Sequence, residues 1–92
     1  MNIADIVTSL NGRDAGKRFI VIAVENEYAL IANGKGRRFE KPERKKIKHL
    51  KYEGKAGSTI TKKLLEAEKI TNSELRKELT SEGGVPECQK MT

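Results

Sequence analysis

Residues 6–33 read IVTSLNGRDAGKRFIVIAVENEYALIAN, and this stretch decides the fold of the chain. Its three apolar runs are separated by a glycine-containing loop at 11–16 and by the turn-forming triplet Glu25-Asn26-Glu27. The second run is the strongest, because residues 20–24 (IVIAV) are almost entirely β-branched. Runs of this kind suit strands that are at least half buried. We therefore predict consecutive strands at 5–10, 19–24 and 28–32.

The sequence that follows predicts two more strands. Asn33-Gly34 is a dipeptide typical of tight hairpin turns. A short fourth strand is expected at 37–41, where Pro42 would end it, and a fifth is expected at 44–50. Five short strands with closely spaced turns indicate a mainly β fold, a small closed or half-closed barrel. Closure would remove the sheet edges that otherwise invite aggregation.

A change in composition at Tyr52 introduces a helical part of the chain. Residues 53–57 (EGKAG) predict a linker. The spacing of apolar residues then predicts a first helix at 59–69, with Ser58 as the candidate N-cap. A second helix is predicted at 72–80.

Thr71 and Glu74 mark the expected start of the second helix, because this pair at this spacing fits a capping box. Gly83-Gly84 and Pro86 are expected to end the helix. The last eight or so residues are expected to be disordered. The sequence thus predicts a barrel at 1–54 and an appendage at 55–92.

The positive charge of the chain is concentrated in one window. The 92 residues carry a net charge of +6. Residues 34–51, here called the basic window, carry +7, whereas residues 1–33 carry −1 and residues 52–92 are neutral overall. A localised excess of cations indicates a polyanion site better than a uniformly high isoelectric point does.

The basic window follows a glycine-bracketed loop, and together they form a candidate RNA-binding site. Gly12 and Gly16 permit positive φ and close backbone approach, so the loop can bend sharply. Phosphate contacts from cations supply affinity and salt dependence without base specificity. The alternatives are glycines that only make a turn and a charged surface with no ligand. The candidate site comprises Gly12, Arg13, Asp14, Gly16, Lys17, Arg18, Arg37, Arg38, Lys41, Arg44, Lys45, Lys46, Lys48, His49 and Lys51.

Four aromatic residues are available for packing or base stacking. RNA-binding modules often stack bases on exposed aromatic rings. Tyr52 and Phe39 flank the dense part of the basic window and are candidates for this role, with core packing an equal alternative for Phe39. Phe19 and Tyr28 are expected in the core.

The sequence offers no catalytic constellation. His49 is the single histidine and Cys88 the single cysteine, so neither a His pair nor a dense set of metal ligands can form. We therefore expect a non-enzymatic protein without a cofactor. One cysteine cannot form an internal disulfide, and no apolar run approaches the ~20 residues of a membrane span. A cytoplasmic location with no membrane association is expected.

With these strands and this loop in place, residues 6–32 resemble the KOW motif, an RNA-binding element of SH3-like barrels. The motif is a strand, a loop of the type Gly-Arg-Asp-Ala-Gly-Lys and an apolar strand. Gly16 matches the signature glycine of the family, and Gly12 and Asp14 match its loop. A second family glycine shortly after Gly16 is replaced here by Arg18 and Phe19.

The resemblance continues beyond the motif itself. Residues 28–34 (YALIANG) and 44–50 (RKKIKHL) look like the archaeal and eukaryotic-type KOW proteins of the large ribosomal subunit. In those proteins a strand ending in an Asp/Asn-Gly turn leads to a basic strand ending in His-Leu. The resemblance covers about residues 3–51. It implies an SH3-like (KOW) barrel with a short C-terminal helical appendage.

The same resemblance implies a ribosomal protein-like role in translation, with ribosomal RNA and the ribosome as partners in a ribonucleoprotein. The charge pattern independently supports only a polyanion partner. The rival interpretation is a protein-interaction module of the transcription or translation machinery, which would dock a partner on leucines of the C-terminal helices. A small hydrolase or nuclease is disfavoured by the lack of paired catalytic residues.

Overall fold

The computed structural model describes the backbone of residues 1–83 and the side chains of residues 1–80. The chain is mainly β, with a five-stranded antiparallel sheet and two short helices, as the sequence predicts. The first three strands agree with their predicted bounds to within one residue. The elements are β1 (Asp5–Ser9), β2 (Arg18–Glu25), β3 (Tyr28–Ala32), β4 (Glu43–Lys46), a 3₁₀ turn (Ile47–His49), β5 (Leu50–Lys55), α1 (Ser58–Leu65) and α2 (Asn72–Gly83).

The strands lie in the order β4-β3-β2-β1-β5. Strands β1 to β4 form a meander, and β5 returns to pair with β1. The register shifts leave one extra residue in β5, Glu53, opposite Ile6/Val7 of β1, and one extra residue in β2, Ile22, opposite β3. A bulge of this kind increases the local twist of the strand that carries it. Among the described residues the pairing leaves β4 and β5 as edge strands. The sheet is therefore not closed, whereas the sequence predicted a closed or half-closed barrel.

The bent sheet buries apolar side chains on both faces. Neighbouring residues of a strand point to opposite faces, so Ile6 and Ile20 belong to one core cluster while Val7 and Phe19 belong to the other. The second cluster is made by the sheet and the 3₁₀ turn alone and consists of Val7, Phe19, Val21, Ala29, Ile31 and Leu50, with Ile47 packed against it.

The first cluster is completed by the helices. Ile60 and Leu64 of α1, Ile70 of the connection and Leu75 of α2 pack with Ile6, Ile20 and Ala32 of the sheet. Leu75 and Ile70 have no exposed surface. The helices therefore share one hydrophobic core with the strands.

The strand predicted at 37–41 is wrong, because these residues lie in a ten-residue loop between β3 and β4. Asn33 does not make a tight hairpin. Its backbone NH donates to Arg37 O at 2.8 Å, and its side-chain Oδ1 accepts from the backbone NH groups of Lys35 and Arg37. Phe39 turns inward and packs against the first core cluster, which removes this segment from the sheet.

The strand predicted at 44–50 is two strands separated by a 3₁₀ turn. The chain has to leave the β3 edge and reach β1, and Ile47 begins this crossing with its NH donated to Glu27 O at 2.8 Å. The linker predicted at 53–57 is also wrong at its start, because residues 53–55 belong to β5, where Gly54 and Lys55 pair with β1.

The first helix is shorter than the predicted 59–69. It ends at Leu65, because Ala67 adopts a positive φ of 57° and the NH of Glu68 returns to Lys63 O at 2.8 Å. Its N-cap is Gly57, not Ser58, and no side chain caps it. The NH of Gly57 instead donates to Glu78 of α2 at 2.7 Å, so α2 holds the start of α1.

The capping box of the second helix is confirmed. The NH of Glu74 donates to Thr71 Oγ1 at 3.1 Å, and the NH of Thr71 donates to Glu74 Oε1 at 2.9 Å. The second helix was predicted at 72–80, but it extends to Gly83. Gly84 and Pro86, which were also expected to end it, the expected disordered tail and Cys88 lie outside the described residues. Neither of the two described helices is both long enough and apolar enough to cross a membrane.

Candidate nucleic-acid interface

The loop between β1 and β2, residues 10–17, is a tight and hydrogen-bonded turn. The NH of Gly16 donates to Ser9 O at 2.8 Å, and the NH of Lys17 donates to Asp14 O at 2.9 Å. Gly16 has a φ of +87°, and no atom lies within 4 Å of where a Cβ would stand. This position therefore requires glycine for its left-handed backbone and not for close packing.

Two side chains of the basic window form hydrogen bonds with this loop. Arg37 donates to Asp14 Oδ2 from both Nε and Nη2, at 3.2 and 3.1 Å. Its Nε also lies 2.6 Å from Glu43 Oε1. Lys45 Nζ donates to the carbonyl oxygen of Asn11 at 3.1 Å. Arg37 and Asp14, both predicted to contact RNA, thus pair with each other.

The second half of the window contacts the same loop through the backbone. The NH of Leu10 donates to the backbone oxygen of His49 at 2.9 Å. Lys51 is opposite Thr8 in the β1–β5 register, one step from the loop. The start of the loop is therefore in contact with both β4 and the 3₁₀ turn.

Many predicted contact residues carry charge that is available to an anion. Lys17 and Arg44 face carboxylates only at 3.5 Å, from Asp14 and Glu25 respectively. Within residues 1–80, no ion pair is formed by Arg13, Arg18, Arg38, Lys41, Lys45, Lys46, Lys48 or Lys51.

Tyr28 organises the cations of β4. Lys46 is its cross-strand partner, and the guanidinium carbon of Arg44 lies 3.8 Å from the ring centroid. Lys46 Nζ lies 5.9 Å from the same centroid. Both distances suit a cation–π contact. Tyr28 was expected in the core, but it is half buried and supports charged side chains on the edge strand.

The two aromatic residues proposed for base stacking have different environments in the structure. Phe39 is partly buried and packs on the core that contains the helices. Tyr52 is 56% exposed on β5. Of the two, Tyr52 is therefore the ring that can stack on a base without a change in the core.

Two further cations, Lys35 and Arg76, lie beside Lys17 and Arg18 at the edge of this site. Neither was among the residues predicted from the sequence. Arg76 lies in α2, within a stretch whose net charge is zero, so the charge pattern gave no signal for it. Lys35 lies inside the basic window and could have been included. No group of three or more His, Cys, Asp or Glu side chains in the described part of the chain could hold a metal ion.

Asp14 carries a pH-dependent contact of the loop. Burial by itself would raise the pKa of Asp14, but hydrogen bonds and charge from Arg37, followed by those from Lys17, lower it below the ordinary value of 3.8. The depressed folded-state pKa means that the carboxylate stabilises the fold above its unfolded pKa. This contribution is lost as the pH falls through the folded-state pKa.

We expect Asp14→Asn to lower the free energy of unfolding at pH 7 by roughly 1 kcal/mol, because Arg37 is partly exposed and the pair is screened. The difference between parent and variant should narrow below about pH 4, where the parent carboxylate becomes protonated. Urea unfolding of both proteins at pH 7, 5, 4 and 3 measures this. A difference that stays constant down to pH 3 would contradict the ion-pair account.

Comparison with protein-family models and with curated proteins finds no match to this chain.

Proposed function

We propose that the protein is a non-catalytic RNA-binding protein whose contact surface is the 10–17 loop together with the basic window. One observation carries this proposal. Lys45 donates to Asn11 O and the backbone oxygen of His49 accepts from the NH of Leu10, so the basic window contacts the loop at two adjacent residues and adjoins it in one surface. Within the described residues, most of the cations on that surface have no carboxylate partner.

Such a surface suits a phosphate backbone. Each phosphate that binds a Lys or Arg releases condensed counterions, so affinity falls steeply as salt rises. Tyr52 adds an exposed ring on which a base could stack, and such stacking tolerates any base. Together these features support binding to single-stranded segments or loops of RNA with little dependence on base identity.

The sequence resemblance narrows the proposal to ribosomal RNA and association with the ribosome, in the cytoplasm. It also suggests that the sheet is an SH3-like barrel. The bulges in β2 and β5, the strand order and the 3₁₀ turn that carries the chain from one sheet edge to the other support that interpretation.

The rival proposal, a protein-interaction module, depended on leucines of the helices. Leu64 and Leu75 are buried in the core, and Leu79 packs partly against it. These side chains therefore take part in core packing and do not form a free docking surface. The structure of the described residues therefore gives this rival less support than the sequence did.

Ultraviolet crosslinking in cells, followed by sequencing of the attached RNA, tests the function. We expect enrichment of ribosomal RNA, and we expect the crosslinked peptides to contain Tyr52 or residues of the 10–17 loop. A Tyr52→Leu variant should lose the β5 crosslink while the loop crosslink persists. Recovery of no RNA above background would refute the proposal and favour the alternative of a protein-interaction module.

A further inference from the structure

A cleft of about 450 Å³ lies beside the proposed contact surface, at the junction of three elements. The start of β2 contributes Lys17 and Arg18, the β3–β4 loop contributes Lys35 and Gly36, and α2 contributes Arg76. Leu79 of α2 adds an apolar wall. This cleft shares Lys17, Lys35 and Gly36 with the proposed contact surface and extends that surface, because α2 forms one of its sides.

The cleft is strongly positive. Four of its lining residues are cations, and no Asp or Glu is among its lining residues in the described part of the chain. None of the four makes an ion pair at this cleft, since the one pair formed by Lys17 is with Asp14 of the neighbouring loop. Four cations that converge without a counter-charge repel one another unless an anion binds.

Arg18 gives independent support for a ligand. Its Nη1 is buried and has no hydrogen-bond partner among the described residues. The two other buried atoms of this kind, Asp5 Oδ1 and Glu43 Oε1, each lie within 3.0 Å of a cationic nitrogen, of Lys55 and Arg37 respectively. Arg18 Nη1 is thus the one of these three buried atoms with neither a hydrogen-bond partner nor an ion-pair partner among the described residues, and buried donors are normally satisfied.

The walls of the cleft are held at a fixed separation. Arg76 Nη1 donates to Gly34 O at 2.5 Å. Gly34 has a φ of +79°, and a Cβ there would stand 2.3 Å from the backbone oxygen of Asn72, so only glycine allows the loop to approach α2. Asn72 Oδ1 also accepts from the NH of Phe39 at 2.7 Å. These contacts hold the β3–β4 loop, which carries Lys35, against α2, which carries Arg76, so the two sides of the cleft are already in place.

We propose that this cleft is a phosphate-binding site that takes one nucleotide, with Arg18, Lys35 and Arg76 as the phosphate contacts. Guanidinium groups suit this role because their planar donors match two phosphate oxygens at once. The volume exceeds the space that a bare phosphate needs and falls in the range of small-molecule pockets. Leu79 and the open space at Gly36 leave room for a sugar or base.

The source of the nucleotide follows from the position of the cleft. Lys17 borders the cleft and also closes the 10–17 loop, so a strand crossing the loop could place one nucleotide between β2 and α2. This part of the inference rests on the proposed RNA-binding function. It assigns α2 a share of the RNA-contacting surface.

The test has two arms on the full chain. In the first, UMP and inorganic phosphate are titrated while the amide of Gly36 and the Nε–H signals of Arg18 and Arg76 are followed by NMR. We expect saturable shifts at these three groups with UMP. In the second arm, binding of a uridine oligonucleotide is measured against salt concentration.

Lys35→Gln is the main variant, because its side chain makes no hydrogen bond or ion pair within residues 1–80. It should weaken oligonucleotide binding about fivefold at 0.1 M salt and lower the salt slope by about 0.7. Lys77→Gln removes the same charge from α2 outside the cleft and should change the slope much less. Unchanged amide spectra of the variants elsewhere show that both are folded.

The outcomes separate the two proposals. If the parent binds the oligonucleotide but Lys35→Gln and Arg18→Gln bind as tightly as the parent, the cleft inference is wrong and the RNA-binding proposal stands. If the parent binds no oligonucleotide but UMP saturates the cleft, the RNA-binding proposal is wrong, and the cleft is a site for a free nucleotide. If neither UMP nor phosphate shifts these signals, the inference is overturned.

Discussion

Leu75→Ala is expected to lower the free energy of unfolding by about 2–5 kcal/mol, because Leu75 has no exposed surface and the change leaves a cavity between α2 and the sheet. For a domain of this size, each kcal/mol corresponds to roughly 4–8 °C in the unfolding midpoint. Calorimetry should therefore show a fall of at least about 8 °C in one cooperative transition. A single transition is expected because the helices and strands share the first core cluster.

Leu65→Ala is the matched control. It is the same substitution on the neighbouring helix, but Leu65 is 66% exposed, so the change should stay within about 0.5 kcal/mol. If Leu75→Ala altered the midpoint as little as Leu65→Ala, α2 could not be part of the core. Two separate transitions would likewise show that the helices fold independently of the sheet.

Replacing Arg38, Lys41 and Lys48 together by Gln is expected to cause the largest loss of RNA affinity. The three side chains are exposed and form no ion pair within the described residues, so the fold should be unchanged. Three phosphate contacts on a single strand correspond to a salt slope of about 2. If affinities converge near 1 M salt, the loss at 0.1 M is about a hundredfold.

Lys62, Lys69 and Lys77 provide a control with the same change in net charge. All three are exposed on the helical side of the chain and lie outside the basic window. Their joint replacement by Gln should alter the salt slope by well under one unit. Equal losses from both triple variants would mean that net charge alone attracts the RNA, and that the basic window is not a contact surface.

The sequence predicted features that depend on neighbouring residues. The β-branched run at 20–24 set the central strand, and Thr71 with Glu74 set the start of α2. The turn at Gly16 was predictable because glycine readily adopts the positive φ that the turn requires. Each of these depends on a few contiguous residues, which is why pattern alone was sufficient.

Predictions failed where distant parts of the chain compete for the same residues. Residues 37–41 have a strand-like pattern, but Phe39 gains more by packing against the core under α2 than by pairing beside β3. The run at 44–50 is interrupted because the chain must cross from β3 to β1. The first helix ends early at Leu65, where Ala67 turns the chain so that Ile70 can enter the core.

The sequence by itself determined that this protein is a small, mainly β chain with its excess positive charge beside a glycine loop, since strand patterning and net charge are local properties. Only the tertiary structure decided which cations are available to bind an anion and which are paired with carboxylates of the protein itself. Arg37 is paired with Asp14 and Glu43, whereas Arg18 keeps a buried donor without a partner and lines a cleft together with Lys35 and Arg76. That difference depends on contacts between residues tens of positions apart, which folding creates and a linear pattern cannot contain.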